Sequence, residues 1–306
     1  MGNDRPIPGN SFRINPPLIR SCQGALGASL ERSPKMNIKP TILLAASIHV
    51  FSALAPAQSG IASSERIVQL HETGPRNLVI TYHSPPATRA AFRRYMETTG
   101  VRQFEAWKNR GVFRDYRILF NWFVESDTFD MLVALSFEPY AQIARWEEIE
   151  ESFPGGLSKE GLALGSPVMD FPMDMPWRNG PDEKRAGSEK SVFLAIPYVY
   201  YPASSLDQYC QYVEGYALPQ FDGWLKDGVL RSYHIYVNRF QTSREWQALF
   251  LLEYSNLEAF GAREKEVDIV KRRLLSDPQW KALGEHKLAV RVEKQTATSF
   301  EILPGR

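Results

Sequence analysis

Cysteine is nearly missing: Cys22 and Cys210 are the only two in 306 residues. A disulfide scaffold is thereby excluded, and the fold must rest on an apolar core. Charge of one sign is also lacking. Thirty-six Lys and Arg stand against 35 Asp and Glu, a formal +1, so no basic surface points to nucleic acid or to an anionic membrane. Histidine is scarce, with five in the chain, and their spacing matches no metal-site pattern. The strings G-x-G-x-x-G, G-x-x-x-x-G-K-S/T, G-x-S-x-G and H-E-x-x-H do not occur, which removes the common phosphate, hydrolase and zinc grammars. Hydrophobic residues at 43% and charged residues at 23% are ordinary globular values, incompatible with a polytopic membrane protein.

One long apolar run is present. From Met36 the chain reads MNIKPTILLAASIHVFSALAPAQSG, with Lys39 as a positive start, an uncharged stretch from Thr41 to Ala55 and an Ala55-Pro56-Ala57 exit. This is the anatomy of a secretory signal peptide over 36–57, too short for a comfortable membrane span. An uncleaved anchor or a buried helix is the alternative. Residues 1–35 are aperiodic and read as an extension ahead of the true start. Cleavage after Ala57 would leave a formal charge of −3 and a single cysteine, Cys210. The expectation is a periplasmic or secreted protein with no stable membrane insertion, carrying a short arm at 58–75.

What the chain has in abundance is itself. QFEAWKNRGVFRDYRILFNWF (103–123) and QFDGWLKDGVLRSYHIYVNRF (220–240) share ten of 21 positions at an offset of 117. Unrelated segments of ordinary composition would share roughly one or two. The alignment runs without a gap from Pro85/Pro202 to about Glu148/Lys265. A repeat of this length is a domain, not a solenoid unit.

Each copy predicts the same elements. First strands lie at 77–83 and 191–200, and helices follow that end at Gly111 and Gly228, where a left-handed cap belongs. A strand pair comes next, 116–123 with 129–137 and 233–240 with 246–254. Second helices then run from Tyr140 and Leu257. A last strand spans 288–302 in copy two, while the proline-broken counterpart at 158–174 is shorter. The order β-α-β-β-α-β is the split unit of ferredoxin-like folds, with helices on one face of an antiparallel sheet. Both faces of these strands carry apolar weight, so the uncovered faces need cover. The fold class read from the residues is α+β: two tandem ferredoxin-like units, 76–177 and 191–306, joined by a charged segment at 178–190 and packed sheet to sheet.

The strings QFDGWLKDGVL and SYHIYVNR (220–239), WQALFLLEYSNLEAFGAREKE (246–266), DPQWKAL (277–283) and EILP (301–304) resemble the dimeric α/β-barrel superfamily. That group includes the NIPSNAP, EthD-like, Dabb and antibiotic-biosynthesis monooxygenase families. The resemblance covers 77–304 and implies a barrel with a central cavity, here closed within one chain, so a monomer is expected. It admits haem as a cofactor or cofactor-free oxidation of aromatic substrates, and it does not choose among them.

On strand two, Arg117, Asn121, His234, Tyr236 and Asn238 share a face, and His83 ends the first strand. If that face lines a central cavity, these six form a polar set suited to a small, partly aromatic ligand. If it meets the helices, they cap strand ends. Asn121 and Asn238 stand mid-strand where asparagine is disfavoured, and a buried amide left unbonded costs about 1–3 kcal/mol, so structural bridging competes with ligand binding. No catalytic residue and no metal ligand is assigned. Trp107, Trp224, Tyr116 and Tyr233 read as core. The charged run from Arg263 reads as a solvated helix face. A side-chain-filled barrel without a ligand is the third expectation.

Overall fold

The computed structural model describes residue 67 and residues 76–124, 129–181, 191–200, 206–240, 246–294 and 296–305. The expected extension at 1–35, the expected signal peptide at 36–57, nearly all of the 58–75 arm and positions 182–190 of the connecting segment lie outside the described residues. Both short turns between the paired strands also lie outside them.

The first half runs β1 (Arg76–His83), α1 (Arg89–Tyr95), a π-helical turn (Met96–Gly100), α2 (Val101–Asn109), β2 (Asp115–Asn121), β3 (Met131–Phe137), α3 (Tyr140–Glu150), α4 (Lys159–Leu162) and β4 (Ser166–Asn179). The second runs β5 (Val192–Tyr200), α5 (Leu206–Tyr212), a π-helical turn (Val213–Ala217), α6 (Leu218–Lys226), β6 (Leu230–Asn238), β7 (Ala248–Tyr254), α7 (Leu257–Leu274), α8 (Pro278–Val290), β8 (Arg291–Glu293) and β9 (Ala297–Glu301). From Arg89 to Asn109 and from Leu206 to Lys226, helix boundaries recur at the same spacing of 117, π-turns included.

The recurrent string explains the recurrent helix ends. Gly111 and Gly228 adopt φ of 71° and 76°. Gly111 N–H donates to Lys108 O at 2.8 Å and Val112 N–H to Trp107 O at 3.1 Å; Gly228 and Val229 repeat this on Leu225 and Trp224, both at 3.1 Å. This is the Schellman arrangement, and W-x-x-x-G-V is its sequence trace, with tryptophan and valine meeting across the glycine. The chain then turns into β2 or β6 with its register set.

Eight strands close on themselves in the order β7-β6-β4-β1-β3-β2-β9-β5, with β5 returning to β7 and every pairing antiparallel. The two halves join at two seams, β4 with β6 and β2 with β9. Facing sheets were expected; hydrogen-bonded closure goes further, because a barrel leaves no edge exposed.

Two sequence expectations change. The stretch expected as a short, proline-broken 158–174 is a 14-residue strand reaching Asn179, past the start expected for the connecting segment. Two of its three prolines sit at irregularities: the register shifts beside Pro167 and again around Pro176, while Pro172 stays in register opposite Leu78. The last strand is also divided. Helix α8 continues to Val290, and β8 and β9 separate opposite Ile196 and Pro197 of β5.

Strand alternation makes three cores. Outward residues of the first half, such as Ile80, Ile118 and Val133, pack under α1–α3 with Phe104, Trp107 and Trp146. Those of the second half, such as Ile235, Phe250 and Leu252, pack under α5–α8. Inward residues from both halves fill the barrel: Val79, Leu119, Leu132, Phe171, Phe193, Leu249 and Leu251, with Tyr236 and Trp246 among them. Phe171 stacks on Trp246 at 3.8 Å between ring centres. An eight-stranded barrel is just wide enough for its own side chains. Of the two expectations for the barrel interior, a small-molecule cavity or a filling of its own side chains, the packing of these residues matches the second.

Gly228 has open space where a Cβ would stand, whereas a Cβ on Gly156 (φ 74°) would meet Phe104 at 2.5 Å. Gly228→Ala should cost about 1–2 kcal/mol, the left-handed penalty alone, and Gly156→Ala distinctly more. Urea unfolding of both variants checks this; equal losses would refute the steric assignment.

Candidate functional site

The six candidate residues do not converge. Asn121 is spent on structure: its Nδ2 donates to Phe129 O, and Ser299 Oγ donates to its Oδ1 at 2.7 Å, riveting β2 to β9. Asn238 is fully buried and its Oδ1 accepts Phe240 N–H at 3.0 Å, closing the turn after β6. His83 is half exposed, with Nδ1 3.1 Å from the buried Asp130. Asp130 also accepts from Ser84 N–H (2.7 Å) and Arg89 Nε (2.7 Å), a knot that ties the end of β1 to the approach to β3.

Arg117, His234 and Tyr236 do come together, at one mouth of the barrel. Arg117 lies 3.4 Å from Glu301 and 3.9 Å from Glu253. Glu253 in turn accepts from Ser232 Oγ (2.7 Å) and Ser191 Oγ (2.9 Å). These charges link β2 of the first half to β7 and β9. Burial, then the positive Arg117 and Arg178, push the His234 imidazole down to about 3. It is neutral at physiological pH and a poor proton acceptor there. The hollow beside it holds only about 100 Å³, so a partly aromatic ligand does not fit.

A larger cavity lies elsewhere, outside the barrel, between the second-half sheet and its helices. It measures about 540 Å³, within the ordinary range for small-molecule sites. Its floor is the outward face of β5 and β7, with Leu194, Ile196, Phe250 and Leu252. One wall is Tyr212, Tyr216, Phe221 and Trp224. The other is Arg263, Val267 and Lys271 of α7, and Lys287 and Arg291 close one end.

At the matching place in the first half one side chain fills the layer. Trp146 of α3 is 2% exposed and lies 6.2 Å from Phe104 and 5.8 Å from Trp107 between ring centres. The residue 117 positions on is Arg263, which turns its guanidinium over Phe260 at 4.6 Å instead. Where the first half inserts an indole, the second leaves a cleft. Thr99 against Tyr216 is a second change, on the facing wall.

The cleft is aromatic and cationic. Tyr212 and Tyr216 stack at 5.6 Å, and Tyr216 stacks on Trp280 at 4.9 Å. Arg291 Nε donates to the Tyr212 hydroxyl at 3.2 Å, and Lys287 Nζ lies 3.5 Å from the Tyr216 hydroxyl. Arg263, Lys271, Lys287 and Arg291 outnumber Glu264 and Asp268. Sequence reasoning took Arg263 to Lys271 as a solvated face. The legible signal was Trp146 opposite Arg263 in the self-alignment.

Haem, which the resemblance admits, is tested by the donor set. Protein ligands to haem iron are His, Cys, Met or Tyr, and only Tyr212, Tyr216 and Tyr254 line the cleft. Burial raises the pKa of Tyr212, and it pushes Tyr254 up to about 12, both away from the phenolate that would ligate. His83 and His234 are not in the cleft. The residues lining this cleft do not fit an iron-ligated haem.

No family model matches the chain, and no curated protein matches it. Solved structures with a similar course include a monooxygenase-type protein from Lactobacillus acidophilus, with 10% identity, covering 74% of this chain and 94% of that one at a TM-score of 0.46. A chlorite dismutase variant from Candidatus Nitrospira defluvii has 12% identity, covering 78% and 94% at 0.43. An anthrone oxidase-like protein has 11% identity, covering 74% and 90% at 0.41.

The neutral His234 sets a pH dependence. Its folded pKa lies below the unfolded value near 6.5, so its burial costs nothing above that pH. As pH falls below about 6.5, the unfolded chain binds a proton that the folded one refuses. Stability should then fall by up to about 1.4 kcal/mol per pH unit from this group alone. His234→Gln should flatten the slope of unfolding free energy between pH 6.5 and 5; an unchanged slope would refute the assignment.

Proposed function

We propose that the chain is a duplicated pair of ferredoxin-like units, closed as a monomer, that binds a flat aromatic anion in the second-half cleft. The recurrence of helix boundaries and caps at a spacing of 117 supports the duplication. The observation that carries the ligand reading is the replacement of the space-filling Trp146 by Arg263, which opens about 540 Å³ beneath a cationic rim. Stacked tyrosines offer a ring face, and guanidinium and ammonium groups suit a carboxylate. The barrel lumen, filled by its own side chains, acts as the scaffold.

The test is to refill the cleft. Arg263→Trp should restore the packing of the first half, keep or raise the melting temperature, and weaken binding of 2-naphthoate or anthracene-9-carboxylate at least tenfold by calorimetry. Equal affinity in the altered and unaltered chains would sink the reading.

Export is a further part of the proposal, supported by the run from Met36 to Ala57. N-terminal sequencing of protein recovered outside the cytoplasm should begin at Gln58; an intact Met36 segment on that material would overturn it.

A further inference from the structure

Helix α8 gives the second half something the first half lacks. Its counterpart in chain order, α4, has four residues, whereas α8 has 13. Three α8 residues, spaced i, i+4 and i+7 along one face, meet a single side chain. Trp280 stacks on Tyr216 at 4.9 Å and donates Nε1 to the Tyr216 carbonyl at 3.1 Å. Gly284 lies so close that a Cβ there would meet the Tyr216 ring at 2.5 Å. Lys287 Nζ stands 3.5 Å from the Tyr216 hydroxyl, and four residues on Arg291 donates Nε to the Tyr212 hydroxyl at 3.2 Å. We propose that this end of the cleft is an anion subsite. The carboxylate of an aromatic ligand accepts hydrogen bonds from the Tyr212 and Tyr216 hydroxyls, and Lys287 and Arg291 beside them supply the charge. The inference rests on the cleft reading above and adds which end of the ligand goes where.

A phenol hydroxyl accepts on its oxygen and has one hydrogen to give. Each oxygen here already accepts from a cation, so each hydrogen is left to donate elsewhere. Among the described residues no protein acceptor takes either one. Tyr212 and Tyr216 are 3% and 7% exposed, so the two donors stand in a wall largely closed to water. Burial raises the pKa of Tyr212, which keeps its hydroxyl protonated and donating. In the first half the matching hydroxyl is spent: Tyr95 Oη accepts Ser158 N–H at 3.1 Å and shares a hydrogen with Ser158 Oγ at 2.9 Å. The charges also favour this end. On the α7 wall Arg263 and Lys271 alternate with Glu264 and Asp268, whereas the lining residues of α8 and β8 are Lys287 and Arg291 alone. Lys287 pairs with no carboxylate among the described residues. Gln220 Nε2 donates to the Tyr216 carbonyl at 2.9 Å beside Trp280, so the ring is fixed before a ligand arrives.

The experiment is calorimetry on the full chain with 2-naphthoate and its neutral amide, 2-naphthamide. Tyr212→Phe and Tyr216→Phe keep the rings and their stacking but remove the donors. The unaltered chain should prefer the anion, and each variant should lower that preference at least about fivefold, the scale of a charge-assisted hydrogen bond. A structural role alone would weaken both compounds together and leave the ratio unmoved. A preference kept in both variants, or one lost only on Lys271→Gln, would overturn the subsite and leave the cleft reading intact. Absence of 2-naphthoate binding by the unaltered chain would overturn both.

Discussion

Closure of the barrel is the constraint from which the rest follows. A four-stranded sheet with helices on one face has a second face to hide, and here that face carries Val79, Leu119, Leu132, Phe171, Phe193, Leu249 and Leu251. Each such side chain gains about 1.5–3 kcal/mol when removed from water, so neither half could leave its inner face wet. Pairing β4 with β6 and β2 with β9 buries both faces at once and satisfies the edge strands with backbone hydrogen bonds. Charged groups follow the same logic. Arg117, Glu253 and Glu301 lie towards one mouth, where partners from three strands can meet them, while the middle of the lumen is apolar.

A filled lumen displaces function outwards. Since an eight-stranded barrel has room for little beyond its own side chains, ligand space must come from the sheet–helix layers or from the barrel mouths. The two halves solve the sheet–helix layer differently. In the first, Trp146 joins Phe104, Trp107 and Phe113 in an aromatic cluster whose ring centres lie about 5 to 6 Å apart. In the second, the equivalent tryptophan is absent, and Phe221, Trp224 and Phe250 face an opening instead. The first half closes its sheet–helix layer with an indole and the second leaves its layer open, a difference that a paired fold permits because both halves share one barrel core.

Much of the fold was legible because the determinants are local. W-x-x-x-G-V gave both helix ends, apolar alternation gave β2, β3, β6 and β7 to within about two residues, and the offset gave the second half from the first. Less was legible where non-local pairing decides. Pro167, Pro172 and Pro176 argued against a long β4, yet register shifts opposite β1 and β6 absorb Pro167 and Pro176, and Pro172 keeps its place opposite Leu78. The break between β8 and β9 depends on Pro197 of a different strand. The same limit governed the site. Alternation correctly placed Arg117, His234, Tyr236 and the asparagines on one face, but not that Asn121 would be claimed by Phe129 and Ser299.

The paired asparagines show why recurrence alone does not mark a ligand site. Asn121 and Asn238 occupy matching positions, and their N–H groups donate to matching acceptors, Asp130 O and Gln247 O. Both stand where a strand must stop and the chain must turn. The amides then differ: Asn121 Nδ2 donates to Phe129 O and its Oδ1 accepts from the Ser299 hydroxyl, whereas Asn238 Oδ1 accepts from Phe240 N–H. Apolar β-formers could make none of these bonds. The halves differ at Trp146 against Arg263 and at Thr99 against Tyr216, and the second-half member of each pair lines the cleft. If that cleft holds a ligand, as proposed, the differing positions bear on it more than the ten identical ones, which serve the folding that both halves share.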